Sequence, residues 1–299
     1  MLQQVGTALD EHRPVRVHIH GLVALEQKFP IATSAEENGD ERQGKRRSTA
    51  RSRKGAARRK GPPRGSRKAA AAPRIGGDIL RAAYEGQVTC VAEAYPTLQT
   101  FPDDDGMWLL ATSSIIPDLA REAIFLVALP YRRGLGPVAW AFWTAQGQSW
   151  WIGPRHTNYQ NGSICAFSED DGAWCDGGDI RTLLDLYSLW ALRHLHLEVF
   201  GRWPGKQYSL RSADPRVEAY YRQTQCEDDE LCGCGSETRR YADCCKPSDL
   251  QWNFFELMSL FRNQVGGDLR KPPPPIAGFI ESRSALPRIT DIHPKLISA

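Results

Sequence analysis

The chain has 299 residues, of which 41% are hydrophobic and 24% are charged, and its formal net charge is +3. This apolar content is enough to build a folded core and excludes a fibre or a fully disordered chain. The longest uncharged apolar stretch, Ala123 to Leu129, is far shorter than the roughly 20 residues that a membrane-spanning helix needs. The amino terminus carries Asp10 and Glu11 and has no apolar run after a basic start, so it does not resemble a secretion signal. We therefore expect a cytoplasmic protein that makes no membrane contact.

The positive charge is concentrated in one segment. Residues 42–74 hold 14 Lys and Arg and no acidic residue, whereas the remaining 24 basic residues are outnumbered by all 35 acidic ones. The same segment lacks aromatic and large aliphatic side chains, so it cannot bury enough apolar area to offset the entropy of ordering. We predict a disordered basic linker at 42–74 that makes a weak nucleic-acid contact. Residues 1–41 are assigned no function.

Regular structure is predicted from residue 78 onward. Asp78 is a suitable N-cap for a short helix that runs to Tyr84. Three strand-like apolar runs follow, with Pro-containing or Gly-containing links between them: Met107–Ile116, Ala123–Leu129 and Val138–Thr144. Consecutive strands joined by short links predict an antiparallel meander.

A long amphipathic helix is predicted after these strands. From Asp179 onward, apolar side chains recur with a period of 3.6 residues until Gly201 and Pro204 end the pattern. A sheet packed by helices gives an α+β fold, and we place this domain at residues 75–205.

One short segment between the strands and this helix carries the chemistry. It contains the turn His156-Thr157-Asn158 and the run Gly162-Ser163-Ile164-Cys165, followed by Trp174. In this order the segment resembles the active site of ubiquitin-conjugating enzymes, and bacterial relatives from ubiquitin-like conjugation systems associated with phage defence look closer than the eukaryotic enzymes. Thr157 stands where the family has proline.

The resemblance implies a ubiquitin-conjugating-enzyme-like fold and a catalytic set of Cys165, Asn158 and His156. Cys165 would carry a ubiquitin-like protein as a thioester, received from an activating enzyme and passed to an amine on a target protein. Asn158 would stabilise the oxyanion, and His156 would brace the turn. Asp170 and Asp171 could orient the amine, although acidic residues in such loops are more often solvated.

A second motif consists of four paired cysteines: Cys232, Cys234, Cys244 and Cys245. Two close pairs of thiolates suit a tetrahedral structural zinc ion, whereas disulfides are disfavoured in the cytoplasm. The spacing resembles the SEC-C motif, a small zinc module, which we place at residues 226–248. A closed site of four thiolates leaves no position for a catalytic water. The predicted cofactor is therefore one structural Zn²⁺.

The remaining residues, 249–299, are predicted to form one helix and a proline-rich tail. An apolar stripe that includes Phe254, Leu257 and Phe261 indicates the helix, and Pro272–Pro275 indicate a short polyproline spacer.

Three functions remain open from the sequence. The first is a ubiquitin-like protein conjugating enzyme. The second is a scaffold with the same fold and no catalysis, in which Cys165 is a small buried thiol. The third is a nucleic-acid-binding protein that uses the basic linker and the zinc module.

Overall fold

A five-stranded antiparallel sheet is the centre of the protein in the computed structural model, which describes residues 2–11, 15–17, 23–25, 75–113, 121–167, 172–207, 210–266 and 270–292. The mixed α+β class is confirmed. The predicted basic linker at 42–74 lies outside the described residues, as do Asp170 and Asp171.

In chain order the elements are α1 (Leu2–Asp10), β1 (Val15–Val17), β2 (Val23–Leu25), α2 (Ile75–Ala94), β3 (Gln99–Asp103), β4 (Gly106–Ser113), β5 (Glu122–Pro130), β6 (Val138–Ala145), β7 (Gln148–Trp151), α3 (Ile180–Phe200), α4 (Pro215–Gln225), α5 (Lys246–Asp249), α6 (Phe254–Val265), α7 (Pro274–Ser282) and α8 (Ile289–Ile292). Strands β3 to β7 pair in sequence order, each antiparallel to the next. The predicted meander is therefore present.

The first face of the sheet packs against helices α1, α2 and α3. Phe125 and Trp143 on this face are buried with Leu183 of α3 and Tyr84 of α2. Helix α3 begins after Asp179, whose carboxylate accepts hydrogen bonds from two backbone N–H groups of the first turn, and it ends at Gly201 in the left-handed conformation. Both ends were predicted to within one residue.

The second face of the sheet is covered by the carboxyl-terminal helices. Trp108, Trp140 and Phe142 are buried there against Ile276 and Phe279 of α7, and against α8. Because both faces are covered, the central strands carry nearly continuous apolar runs instead of alternating ones. The expectation of a polyproline spacer at Pro272–Pro275 is wrong. Pro274 and Pro275 form the first turn of α7, a position that tolerates proline.

Other boundaries also differ from the sequence prediction. Asp78 does not cap α2, which begins three residues earlier at Ile75. Strands β3 and β7 were not predicted, and they are the two edge strands of the sheet. Within the described ranges, none of the helices has both the length and the apolar character needed to cross a bilayer.

Helices α4 and α6 pack together in a separate cluster beside the four cysteines. Leu257 and Phe261 of α6 are buried against Val217 and Tyr220 of α4, which confirms part of the predicted apolar stripe. Phe254, predicted to lie on the same packed face, is exposed.

Candidate active site and metal centre

The segment between β7 and α3 folds back on itself so that Cys165 lies beside the His156 turn. Thr157 and Ile164 pair across the segment as an antiparallel bridge, and the Cys165 backbone N–H donates to the His156 carbonyl at 3.1 Å. The Ile164 N–H donates to the Ala139 carbonyl of β6 at 2.7 Å, which fastens the segment to the sheet. The structure therefore brings two of the predicted site residues, His156 and Cys165, into direct backbone contact.

Asn158, the third predicted site residue, reaches the same place from the turn. Its side-chain amide donates to the Ser163 hydroxyl at 2.9 Å and to the Ile164 carbonyl at 3.3 Å. Its backbone N–H donates to the Ser163 carbonyl at 2.8 Å. Asn158 itself is exposed, and one acceptor of its amide, the Ile164 carbonyl, belongs to the residue directly before Cys165.

Two tryptophans hold the tip of the loop from the sheet side. The Trp140 indole N–H donates to the Asn161 carbonyl at 2.8 Å, and the Trp151 indole N–H donates to the Gly162 carbonyl at 3.2 Å. Gly162 has a φ of 64°, and a Cβ atom there would lie 2.7 Å from the Lys271 backbone. Only glycine fits this combination of positive φ and close approach.

The His156 side chain is buried. Its ring stacks on the Trp203 ring with centroids 3.7 Å apart, and its carbonyl also accepts from the Trp190 indole N–H at 2.9 Å. Burial, with the positive charge of Arg155 next in effect, lowers the pKa of His156 well below its usual value. A neutral ring enclosed in this way suits the bracing role that the resemblance implied.

Cys165 is partly exposed, whereas His156 and Ser163 around it are buried. Tyr221 of helix α4 lies within electrostatic range of Cys165, since the thiol is among the neighbours that raise the pKa of the buried Tyr221 phenol, after burial and Tyr159. All eight cysteines of the chain are described and none is in a disulfide. Cys90 and Cys175 are exposed and lie outside this loop.

A buried ion pair joins this loop to the cysteine module. Arg155, the residue before His156, donates two hydrogen bonds to the Glu230 carboxylate at 2.8 and 2.6 Å and a third to the Gln225 carbonyl. Burial alone would lower the pKa of Arg155, but the hydrogen bonds and charge of Glu230 outweigh it and raise the pKa. Arg155 therefore stays charged in this buried site.

The candidate metal centre consists of the four predicted cysteines, which lie on two short turns. Their sulfur atoms lie within 4.8 Å of one another, and two of the separations are 3.7 Å (Cys234 to Cys244) and 3.9 Å (Cys244 to Cys245). Tetrahedral zinc with Zn–S bonds of about 2.3 Å requires sulfur atoms about 3.8 Å apart. The four side chains therefore fit a zinc ion.

The local backbone explains how the cysteines converge. Gly235, with a φ of 86°, donates its N–H to the Cys232 carbonyl and closes the first turn. The Cys244 N–H donates to the Tyr241 carbonyl in the second turn. Burial raises the pKa of Cys232 to about 11 before any metal binds, so a metal ion must displace its proton.

A second buried ion pair lies on the other side of the module. Arg222 of α4 donates to both carboxylate oxygens of Asp249, at 2.8 and 2.7 Å. Asp249 is 2% exposed, and its backbone N–H donates to the Cys245 carbonyl. This pair fixes α4 to α5.

Sequence reasoning missed Arg155, Trp203 and Glu230. Glu230 ends an acidic run that is typical of a solvated loop, and Trp203 follows the end of α3. The position of Arg155 directly before the His156 turn was the one signal that could have drawn attention to it.

Comparison with protein-family models, with curated proteins and with solved structures found no match for this chain.

Proposed function

We propose that this protein is a ubiquitin-like protein conjugating enzyme in which Cys165 carries the thioester. The observation that carries the proposal is the junction of Cys165, His156 and Asn158 in one loop between an antiparallel meander and a long helix. The same order of elements is typical of the ubiquitin-conjugating fold, to which we assign residues 75–205. The cysteine module would be an appended SEC-C motif.

The proposed reaction has two steps. In the first step the Cys165 thiolate attacks the thioester carbonyl of a ubiquitin-like protein on an activating enzyme, and the activating enzyme's cysteine leaves as a thiolate. In the second step an amine of a target protein attacks the new thioester, a C–N bond forms, and the Cys165 thiolate leaves. The amine proton goes to solvent. The activating enzyme consumes the ATP, so the conjugating enzyme needs none.

The residues of the loop have separate roles in this chemistry. The bond from the Cys165 N–H to the His156 carbonyl fixes the backbone that carries the thiol. The Asn158 amide donates to the carbonyl of the residue directly before Cys165, and this place in the loop suits stabilisation of charge on the attacked carbonyl oxygen. Its present acceptors belong to neutral groups, so a developing oxyanion would compete well for the amide.

Zinc at Cys232, Cys234, Cys244 and Cys245 would be structural, because four thiolates fill its coordination sphere. It would stabilise the fold of the module and take no part in the reaction.

The proposal is tested by incubating the purified full-length chain with ATP and an extract of its host cells. An adduct of 8 kDa or more that thiol treatment removes is the expected product, at roughly the mass of a small ubiquitin-like domain. A chain that carries no adduct after the incubation, before any thiol is added, would contradict the proposal.

A further inference from the structure

Glu230 belongs to the cysteine module through its backbone and to the Cys165 loop through its side chain. Its carbonyl accepts the Tyr241 N–H at 2.9 Å, and Cys232 follows two residues later. Its carboxylate is completely buried and accepts hydrogen bonds from the side chains of Arg155 and Gln207. Glu230 is thus the point at which the two structures meet.

Two short paths lead from this carboxylate to the backbone of Cys165. On the first path, Glu230 pairs with Arg155, which is followed in the chain by His156, whose carbonyl accepts the Cys165 N–H. On the second path, the Trp203 backbone N–H donates to Glu230 at 2.5 Å, and the Trp203 ring stacks on His156. Both paths pass through His156, whose carbonyl is bonded to the Cys165 N–H.

His156 needs this support because of its backbone conformation. Its φ is 50°, in the left-handed region that residues other than glycine seldom adopt. Such a conformation persists where the surroundings determine it strongly, and residues of this kind cluster at functional sites. Glu230 accepts hydrogen bonds from Arg155, which precedes His156, and from the backbone of Trp203, whose ring covers the His156 ring.

We propose that Glu230 is a positioning residue, which fixes the Cys165 thiol for reaction by holding Arg155 and Trp203 around His156. Glu230 does not touch Cys165, so its effect is indirect. The claim that this geometry serves thioester exchange rests on the proposed function above. The claim that Glu230 positions Cys165 rests on the structure alone.

The chain offers a matched control for this inference. Asp249, which directly follows the module, is also a buried carboxylate that pairs with an arginine through two hydrogen bonds, and its partner Arg222 lies on α4. No hydrogen bond or ion pair described for Asp249 reaches residues 152–165. Glu230→Gln and Asp249→Asn therefore make the same chemical change, but only Glu230→Gln removes a carboxylate that is a direct partner of Arg155 and Trp203.

The experiment measures the rate at which iodoacetamide alkylates Cys165 in the full-length protein, relative to the exposed Cys175, by peptide mass spectrometry. Glu230→Gln should raise this ratio by about fivefold or more, because the loosened loop opens and exposes a thiol that is now partly covered. Asp249→Asn should leave the ratio within about twofold of the wild type, because it keeps both direct bonds of the Glu230 carboxylate to Arg155 and Trp203. Thioester formation should fall in Glu230→Gln while the alkylation ratio rises.

A second variant covers failure of Glu230→Gln to fold. Arg155→Lys keeps the charge but not the two-pronged hydrogen bonding, and it should raise the ratio in the same direction. An unchanged ratio in the variant that folds, or an equal rise in Asp249→Asn, would overturn the inference. Absence of a thioester in the wild type would overturn the proposed function instead, and the alkylation ratio would still decide the role of Glu230.

Discussion

The rings of His156 and Trp203 stack with their centroids 3.7 Å apart, and the backbone of Trp203 donates to Glu230. The turn that precedes Cys165 is therefore packed against residues that come after α3. His194 of α3 completes the cluster, with its ring 5.1 Å from that of Trp203. Two buried histidines are thus enclosed against the same tryptophan, and this has a consequence for stability.

Acid should destabilise the fold through these two histidines. Burial lowers the pKa of His194 to about 3 and that of His156 well below its usual value, although a bond to the Arg155 carbonyl opposes the shift at His194. Below pH 6.5 the unfolded chain binds protons that the folded chain does not, so the free energy of unfolding falls as pH falls. His194 should account for about 1.4 kcal/mol between pH 7.5 and 5.5, and His156 should act in the same direction.

Urea unfolding of the wild type and His194→Gln at pH 7.5 and 5.5 measures this effect. The variant should lose about 1.4 kcal/mol less than the wild type between the two pH values, because one titrating group is gone. Equal losses in the two proteins would show that His194 does not carry the pH dependence.

Zinc should bind at one equivalent per chain through the paired cysteines. Cys244→Ser should lose the metal, because serine keeps the size of the side chain and removes the thiolate. Cys226→Ser is the matched control, since Cys226 is a buried thiol in the same cluster whose spacing excludes it from the four ligands. Metal analysis of the three purified proteins makes the comparison. Equal zinc loss in both variants would assign the site to other residues.

Asn158 should affect the transfer of the ubiquitin-like protein from Cys165 to an amine more than the formation of the thioester on Cys165. Asn158→Ala removes the predicted oxyanion donor and should slow discharge of the thioester to free lysine by about 10²-fold to 10³-fold. Ser163→Ala is the control, because it removes an acceptor of the Asn158 amide and keeps the donor itself. Single-turnover discharge separates the two steps. If both variants slow discharge equally, Asn158 supports the loop and does not stabilise the oxyanion.

Much of the fold could be predicted because its signals are local. The capping residue Asp179 and the terminal Gly201 fixed the bounds of α3, and the apolar runs of β4, β5 and β6 marked the buried strands. Strands β3 and β7 lack such runs, because each is an edge strand with exposed side chains. Helix α7 was missed because its first turn lies in the run Pro272–Pro275, which by itself favours a polyproline spacer.

The candidate site shows the same division. The paired spacing of the cysteines predicted that the four sulfurs meet, and the short motif predicted one loop in which the Asn158 amide bonds to the residue before Cys165. The partnership of Arg155 with Glu230 spans 75 residues and has no local pattern, so only the folded structure could supply it. The predicted roles in thioester chemistry stay predictions.

The basic linker should govern binding to nucleic acid and not formation of the thioester. Binding of the wild type to duplex DNA should fall steeply as salt rises from about 50 to about 200 mM. Deletion of residues 42–74 removes 14 positive charges and should abolish this binding. Fluorescence anisotropy with labelled DNA measures the binding, and the charging assay is the control. Undiminished DNA binding after the deletion, or loss of charging, would contradict the assignment.

The central claim is that Cys165 is the thioester carrier, and intact-mass measurement of the chain after charging with ATP and host-cell extract tests it most directly. The wild type and Cys175→Ser, which removes an exposed thiol outside the loop, should both carry an adduct that thiol treatment releases. Cys165→Ser should carry either no adduct or one that resists thiol, because an oxygen ester does not exchange with thiols. The same thiol-sensitive adduct on Cys165→Ser would contradict the claim and place the carrier on another cysteine.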